Sequence, residues 1–138
     1  DSKYKELEIK RQQDLIQAKE NYIKDLSLAT EDTRTRIDEN YHNKVAKIED
    51  DTKISKLEIE INELKARIQN TNDTSTIENI KSQINAKIIE KNDIEANANL
   101  RELESKKNQD KLRKIEEEKQ FKIQEQTKPR PCVSWHVP

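Results

Sequence analysis

Apolar residues recur along the first half of the chain with a spacing of eleven. Tyr4, Leu15, Leu26, Ile37, Ile48 and Ile59 fall on it. Eleven residues span close to three turns, at about 3.67 residues per turn, so such a stripe runs nearly straight along a helix. Leu7, Ala18 and Ala29 accompany it, whereas Asn40 and Asp51 hold the equivalent later places. Farther on the spacing tightens. Ile54, Leu57, Ile61, Leu64 and Ile68 alternate steps of three and four, which is the seam of a left-handed coiled coil. No Pro or Gly interrupts residues 2–69, and the pattern predicts one long helix within residues 1–69. At 1.5 Å per residue it spans about 100 Å. A helix that long requires a partner along its side.

The register breaks next. Residues 70–75 read Asn-Thr-Asn-Asp-Thr-Ser, a polar cluster with turn-forming chemistry. Ser75 followed by Glu78 has the spacing of a capping box, in which each side chain satisfies the other residue's backbone N–H. A second helix is expected over 76–126. It opens on a tight stripe of Ile77, Ile80, Ile84 and Ile88 and continues more sparsely through Ile94, Ala98, Leu103, Leu112, Ile115 and Ile123.

The two stripes mirror each other about residues 72–73. Folding the chain there sets Ile68 against Ile77, Leu64 against Ile80 or Lys81, Ile61 against Ile84, and Leu57 against Ile88. Farther out it sets Val45 against Leu100, Tyr41 against Leu103 and Tyr22 against Ile123. The fold class is therefore read as all-α: an extended coiled coil, folded as a long antiparallel helical hairpin. The pattern also permits a parallel homo-oligomeric rod that passes through 70–75 as a local irregularity. A hairpin leaves roughly the first 20 residues overhanging, to be covered by something else.

Composition agrees with a narrow stripe rather than a rounded core. Charged residues are 40% of the chain, apolar residues 30% and aromatics 4%. That is too little apolar matter for a globular interior. The charges nearly cancel, to a net −1, which argues against disorder driven by self-repulsion. Acids four residues ahead of bases recur, as in Glu6/Lys10, Glu20/Lys24, Asp32/Arg36, Glu49/Lys53, Glu63/Arg67, Glu102/Lys106, Asp110/Lys114 and Glu118/Lys122. On a helix such pairs are neighbours and support it weakly. No basic block offers a phosphate-tracking surface, so nucleic acid is disfavoured as a partner. No apolar run approaches the ~18 residues of a membrane span, and no signal peptide is evident. A soluble chain of unknown location is expected.

Candidate chemistry is sparse. Cys132 and His136 stand four apart, but structural zinc takes four ligands, and no second pair accompanies them. Glu116, Glu117 and Glu118 are flanked by Lys119 and Lys114, which marks a solvated helix face rather than a cation loop. Asn72-Asp73-Thr74 matches a glycosylation sequon by composition alone. No catalytic residue, metal ligand, cofactor or small-molecule substrate is expected, and the chain is read as non-enzymatic. The segment 127–138 differs from the rest, holding all three Pro, the one Cys and the one Trp. Pro129 and Pro131 favour an extended backbone. Val133, Trp135 and Val137 then alternate with polar residues, as a strand added to a partner or a Trp anchor does. The functional expectation is a structural spacer or scaffold rod in a larger assembly, such as a virion or phage-tail component, a stalk or a cytoskeletal rod. Its partners would be other proteins or copies of itself. An adaptor that docks a partner through its tail or hairpin tip is the second expectation.

Overall fold

The computed structural model describes residues 2–127. These form three helices, α1 (Ser2–Ser27), α2 (Glu31–Gln69) and α3 (Thr74–Thr127), with no strand among the described residues. The tail residues Pro129, Pro131, Val133, Trp135 and Val137 lie outside them.

The helix expected over 1–69 is in fact two. It breaks at residues 28–30, where no Pro or Gly stands. The break has a chemical cause in Thr30. Its backbone N–H donates to Thr33 Oγ1 at 3.0 Å, the reciprocal half of a capping box. Glu31 and Asp32 then occupy the first turn of α2, where carboxylates meet the positive end of the helix dipole. On the other side Ser27 Oγ donates to the Lys24 carbonyl, drawing off an acceptor at the end of α1.

The start of α3 also differs from expectation. Asp73, not Ser75, caps it. Thr76 Oγ1 donates to Asp73 Oδ2 at 2.6 Å, and the Ile77 N–H donates to the Asp73 carbonyl at 2.9 Å. The hydrogen bond from Thr76 holds the Asp73 carboxyl below its usual range, and the N–H groups of Thr76 and Ser75 act in the same direction. A carboxylate is the stronger acceptor and carries the charge that this helix end favours, so the helix begins two residues earlier than a Ser75 cap requires. Ser75 and Glu78 are left exposed within α3.

α2 is the central element. It packs against both α1 and α3, and those two make no close backbone approach to each other. Contacts fix the directions. Arg11 pairs with Glu49 and Tyr22 with Asp38, so α1 runs antiparallel to α2. Arg36 pairs with Glu116 and Lys87 with Glu60, so α3 does likewise. The 20 or so residues expected to overhang are instead folded back along α2.

Between residues 70–73 and the middle of α3, apolar packing dominates. Ile61, Leu64, Ile80 and Ile84 form one buried cluster, with Ile68 and Ile88 packed against it. Ile80 is the most enclosed, at 2% exposure. Ala18, Ile48 and Leu57 complete the fully buried side chains among the described residues, and no polar residue is fully buried among them, although the Gln109 amide nitrogen is enclosed. Leu15, Leu26, Ile37, Ile54 and Ile77 are half-buried.

Farther from the turn the expected register fails. Leu100 and Leu103 point to solvent instead of meeting Val45 and Tyr41, and Tyr22 stacks on Tyr41, with ring centroids 4.2 Å apart, instead of reaching Ile123. Mirror symmetry about 72–73 would set Asp50 opposite Glu95, yet Asp50 pairs with Arg101. The inward face of α3 here carries Arg101, Ser105 and Asn108, which bond to Asp50, Asn43 and Glu39 of α2. Polar partners set the register where apolar ones run out.

The expected ladder of i, i+4 ion pairs gives way to pairs between helices. Glu49 turns to Arg11, Arg36 to Glu116, and Asp32 to Lys119. Half-buried partners across a helix interface feel less screening than exposed neighbours on one helix. The pairs that do form within helices include Lys10–Asp14 and Lys91–Glu95, both with the base first.

Two expectations follow. Ile80→Ala should lower stability by about 2–5 kcal/mol through the cavity it leaves. Ile9→Ala, on the exposed face of α1, should stay within about 0.5 kcal/mol. Thermal melts of the helical circular dichroism report both, and equal effects would refute the cluster as the core. Asp73→Ala should lower the melting temperature at neutral pH, and Ser75→Ala should leave it nearly unchanged. Because folding depresses the Asp73 pKa, its contribution is present above the ordinary carboxylate value of 3.8 and is lost as pH falls through the lower folded value. The gap between wild type and Asp73→Ala should therefore close in acid.

Candidate interaction surface

The α1–α2 contact is built on the eleven-residue spacing. On α1 the inward positions run Tyr4, Leu7, Arg11, Leu15, Ala18, Tyr22 and Leu26, all half-buried or buried. Steps of three, four and four repeat, which keeps one face turned to a straight neighbour. The polar members of that face repeat as well. Arg11 Nε donates to Glu49 Oε1 at 2.9 Å, and Tyr22 Oη donates to Asp38 Oδ1 at 2.5 Å. Arg11 and Tyr22 are one repeat apart, and so are Asp38 and Glu49. Ile37 and Ala18 line one small cleft beside Tyr22 and Tyr41, so the early and late parts of the stripe face each other across the turn.

These polar contacts alter their own groups. The hydrogen bond to Asp38 raises the Tyr22 phenol above its ordinary value of 10.0, and partial burial adds to it. The Glu49 hydrogen bond likewise raises the Arg11 guanidinium. Glu8 is held low, first by the Gln12 amide and then by Arg11.

Where the α2–α3 seam turns polar, an open cleft of about 710 Å³ lies between the helices. Asn43, Asp50, Ile54, Ala98, Arg101 and Ser105 contribute to its walls. Across it Asp50 pairs with Arg101. Among the described residues no three His, Cys, Asp or Glu side chains group as metal ligands, and no helix is long and apolar enough to cross a membrane. Glu116 is half-buried on Arg36, whereas Glu117 reaches toward Arg113 on its own helix, so the acidic run is divided between two faces.

Leu28 is exposed in the break between α1 and α2, and other exposed apolar residues fall on outward faces. Ile9, Ile16 and Ile23 stand seven apart on α1 and are all more than half exposed. Ile89, Leu100 and Leu103 are similarly exposed on α3 and share a face with Ala96. Neither outward stripe was identified by the sequence reading, which placed Leu103 on the inward seam. The signal was present: residues seven apart lie about 20° from one another around a helix, and both sets fall opposite the inward stripe of the same helix. Phe121 is exposed farther along α3. Comparison with protein families, with curated proteins and with solved structures gives no match.

The Tyr22–Asp38 contact is directly testable. A phenol pKa raised by folding contributes stability that is present below the ordinary value of 10.0 and lost as pH rises through the folded value. Asp38→Asn should return one tyrosinate absorbance step toward the ordinary value, with little change in helicity. An unmoved titration would show that Tyr22 is free of Asp38.

Proposed function

We propose that this chain is a non-enzymatic structural spacer within a larger assembly. In this reading α2 and α3 form a long antiparallel coiled-coil hairpin, and α1 braces its open end. The fold's thinness carries the proposal. Each helix buries one stripe against a neighbour, α2 buries two, and every fully buried side chain among the described residues is apolar. The longest element has 54 residues, which is about 81 Å at 1.5 Å per residue. Such an object sets a distance and presents long surfaces. Its partners are other proteins or copies of itself, met along the outward faces and ends.

Two measurements test this. Spin labels at residues 57 and 88, with each labelled chain diluted among unlabelled ones, should lie close together. A separation of about 45 Å would mean a continuous helix and would replace the hairpin with the straight oligomeric rod. Crosslinking in the native host should then compare the full chain with one ending at Thr127. The spacer reading expects neighbours along the helices to persist after truncation. Loss of every neighbour would favour an adaptor that docks through its C-terminal tail.

A further inference from the structure

We propose that the outward face of α3 is a homotypic interface on which a second copy of this chain docks antiparallel, with the two-fold axis beside Ala96. The proposal rests on the α2–α3 pairing of the spacer reading, because that pairing turns this face outward. α2 covers the opposite side of α3, and α1 lies beyond α2, so among the described residues no element of the same chain covers the face. Its residues are exposed from Glu78 to Lys114.

Spacing and charge both specify the occupant. Ile89, Ala96 and Leu103 recur every seven residues, and Leu100 joins them four beyond Ala96, as alternate positions of a coiled-coil seam do. Ile89, Leu100 and Leu103 are 60%, 64% and 58% exposed, and Leu100 and Leu103 lie within one turn of each other. The outward stripe of α1 holds as many large apolar residues over the same length, spread evenly as one isoleucine in seven. A two-fold axis at Ala96 brings Ile89 of one copy to Leu103 of the other. It sets the smallest side chain where the helices cross most closely.

The charges are arranged unequally about that axis. Toward the N-terminus the face carries Glu78, Lys81 and Asp93, a net −1, and toward the C-terminus it carries Lys107, Asp110, Lys111 and Lys114, a net +2. An antiparallel copy with its axis at Ala96 places Glu78 against Lys114. A parallel copy in register places each of these lysines against its own counterpart, and like charges so placed cost affinity. The overlap from Glu78 to Lys114 is about 55 Å long at 1.5 Å per residue. A homodimer of this kind is isologous and closed, so it adds no open-ended growth.

The experiment is sedimentation equilibrium on the full chain and on variants confined to this exposed face, with circular dichroism to confirm unchanged helicity. The wild type should dimerise. Ala96→Glu sets like charges beside the axis and should raise the dissociation constant at least about tenfold. Glu78→Lys should weaken the dimer, and adding Lys114→Glu should restore it. In a Cys132→Ser background, a single spin label at position 114 should report an intermolecular distance of about 54 Å. A short distance there means a parallel pair and overturns the proposal. So does a chain that stays monomeric, or a dimer lost with Ile16→Glu and kept with Ala96→Glu, which assigns the contact to α1. The intramolecular distance between residues 57 and 88 stays short in all these outcomes if the hairpin is right, so failure of the dimer and failure of the hairpin are separable.

Discussion

α2 has to satisfy two neighbours with one narrow supply of apolar side chains, and the rest of the fold follows from how it divides them. Asp38, Tyr41 and Glu49 face α1, whereas Arg36, Asn43 and Asp50 face α3. At 3.6 residues per turn these two sets lie on nearly opposite sides of the helix. The first follows the eleven-residue spacing and the second a spacing of seven. A single helix can carry both only if neither stripe is wide. In consequence, most inward positions are half-buried, and the stretch shared by both neighbours relies on polar pairs to complete its contacts. Toward the turn to α3, where α1 begins beside Glu60 and Glu63, α2 concentrates Leu57, Ile61 and Leu64 on one side, and burial becomes complete.

Because its two contact faces oppose each other, the three helices lie in a row rather than closing into a bundle. A closed bundle would bring α1 onto α3 and give all three helices a common core. The row leaves the back of α1 and the back of α3 open along their lengths. Apolar residues on those backs have nothing to bury against among the described residues. Burial of a large aliphatic side chain contributes about 1.5–3 kcal/mol, so stripes such as Ile89, Leu100 and Leu103 represent association free energy unspent by folding. The scaffold reading and the proposed self-association of α3 both draw on this one architectural fact.

The parts legible in the sequence were those with dense apolar spacing. Ile61, Leu64, Ile80 and Ile84 were expected to meet, and they lie in one cluster. The break at residues 28–30 escaped notice because it uses no Pro or Gly. A threonine cap and two acids suffice, and those residue types also occur inside helices. The cap of α3 was misplaced by two residues because Asp73 was read as part of the turn rather than as the stronger acceptor. The outer register was lost for a different reason. Arg101, Ser105 and Asn108 carry no hydrophobic signal, yet they are the residues that α2 meets, whereas Leu103 nearby supplied a signal for the wrong face. Pattern reading follows apolar periodicity, and here polar complementarity decides the alignment. The two outward stripes lie outside a pattern of one seam per helix, because α1 and α3 each carry two.

The change from apolar to polar along the α2–α3 seam gives the pair a direction. Near residues 70–73 the contacts are local in sequence and bury aliphatic side chains, so they form with a small loss of loop entropy and a large gain in burial. The pairs Asp50–Arg101, Arg36–Glu116 and Asp32–Lys119 close progressively larger loops for contacts that are individually weaker. Such outer contacts add little to overall stability. Their value is in alignment, because an ion pair or amide–hydroxyl contact is lost when one helix slips past the other, whereas aliphatic surfaces tolerate slippage. The apolar end holds the helices together, and the polar end keeps them from sliding. α1 lies against the polar end, where α2 has the least aliphatic packing with α3, and its own Arg11–Glu49 and Tyr22–Asp38 contacts repeat the same device on the other side of α2.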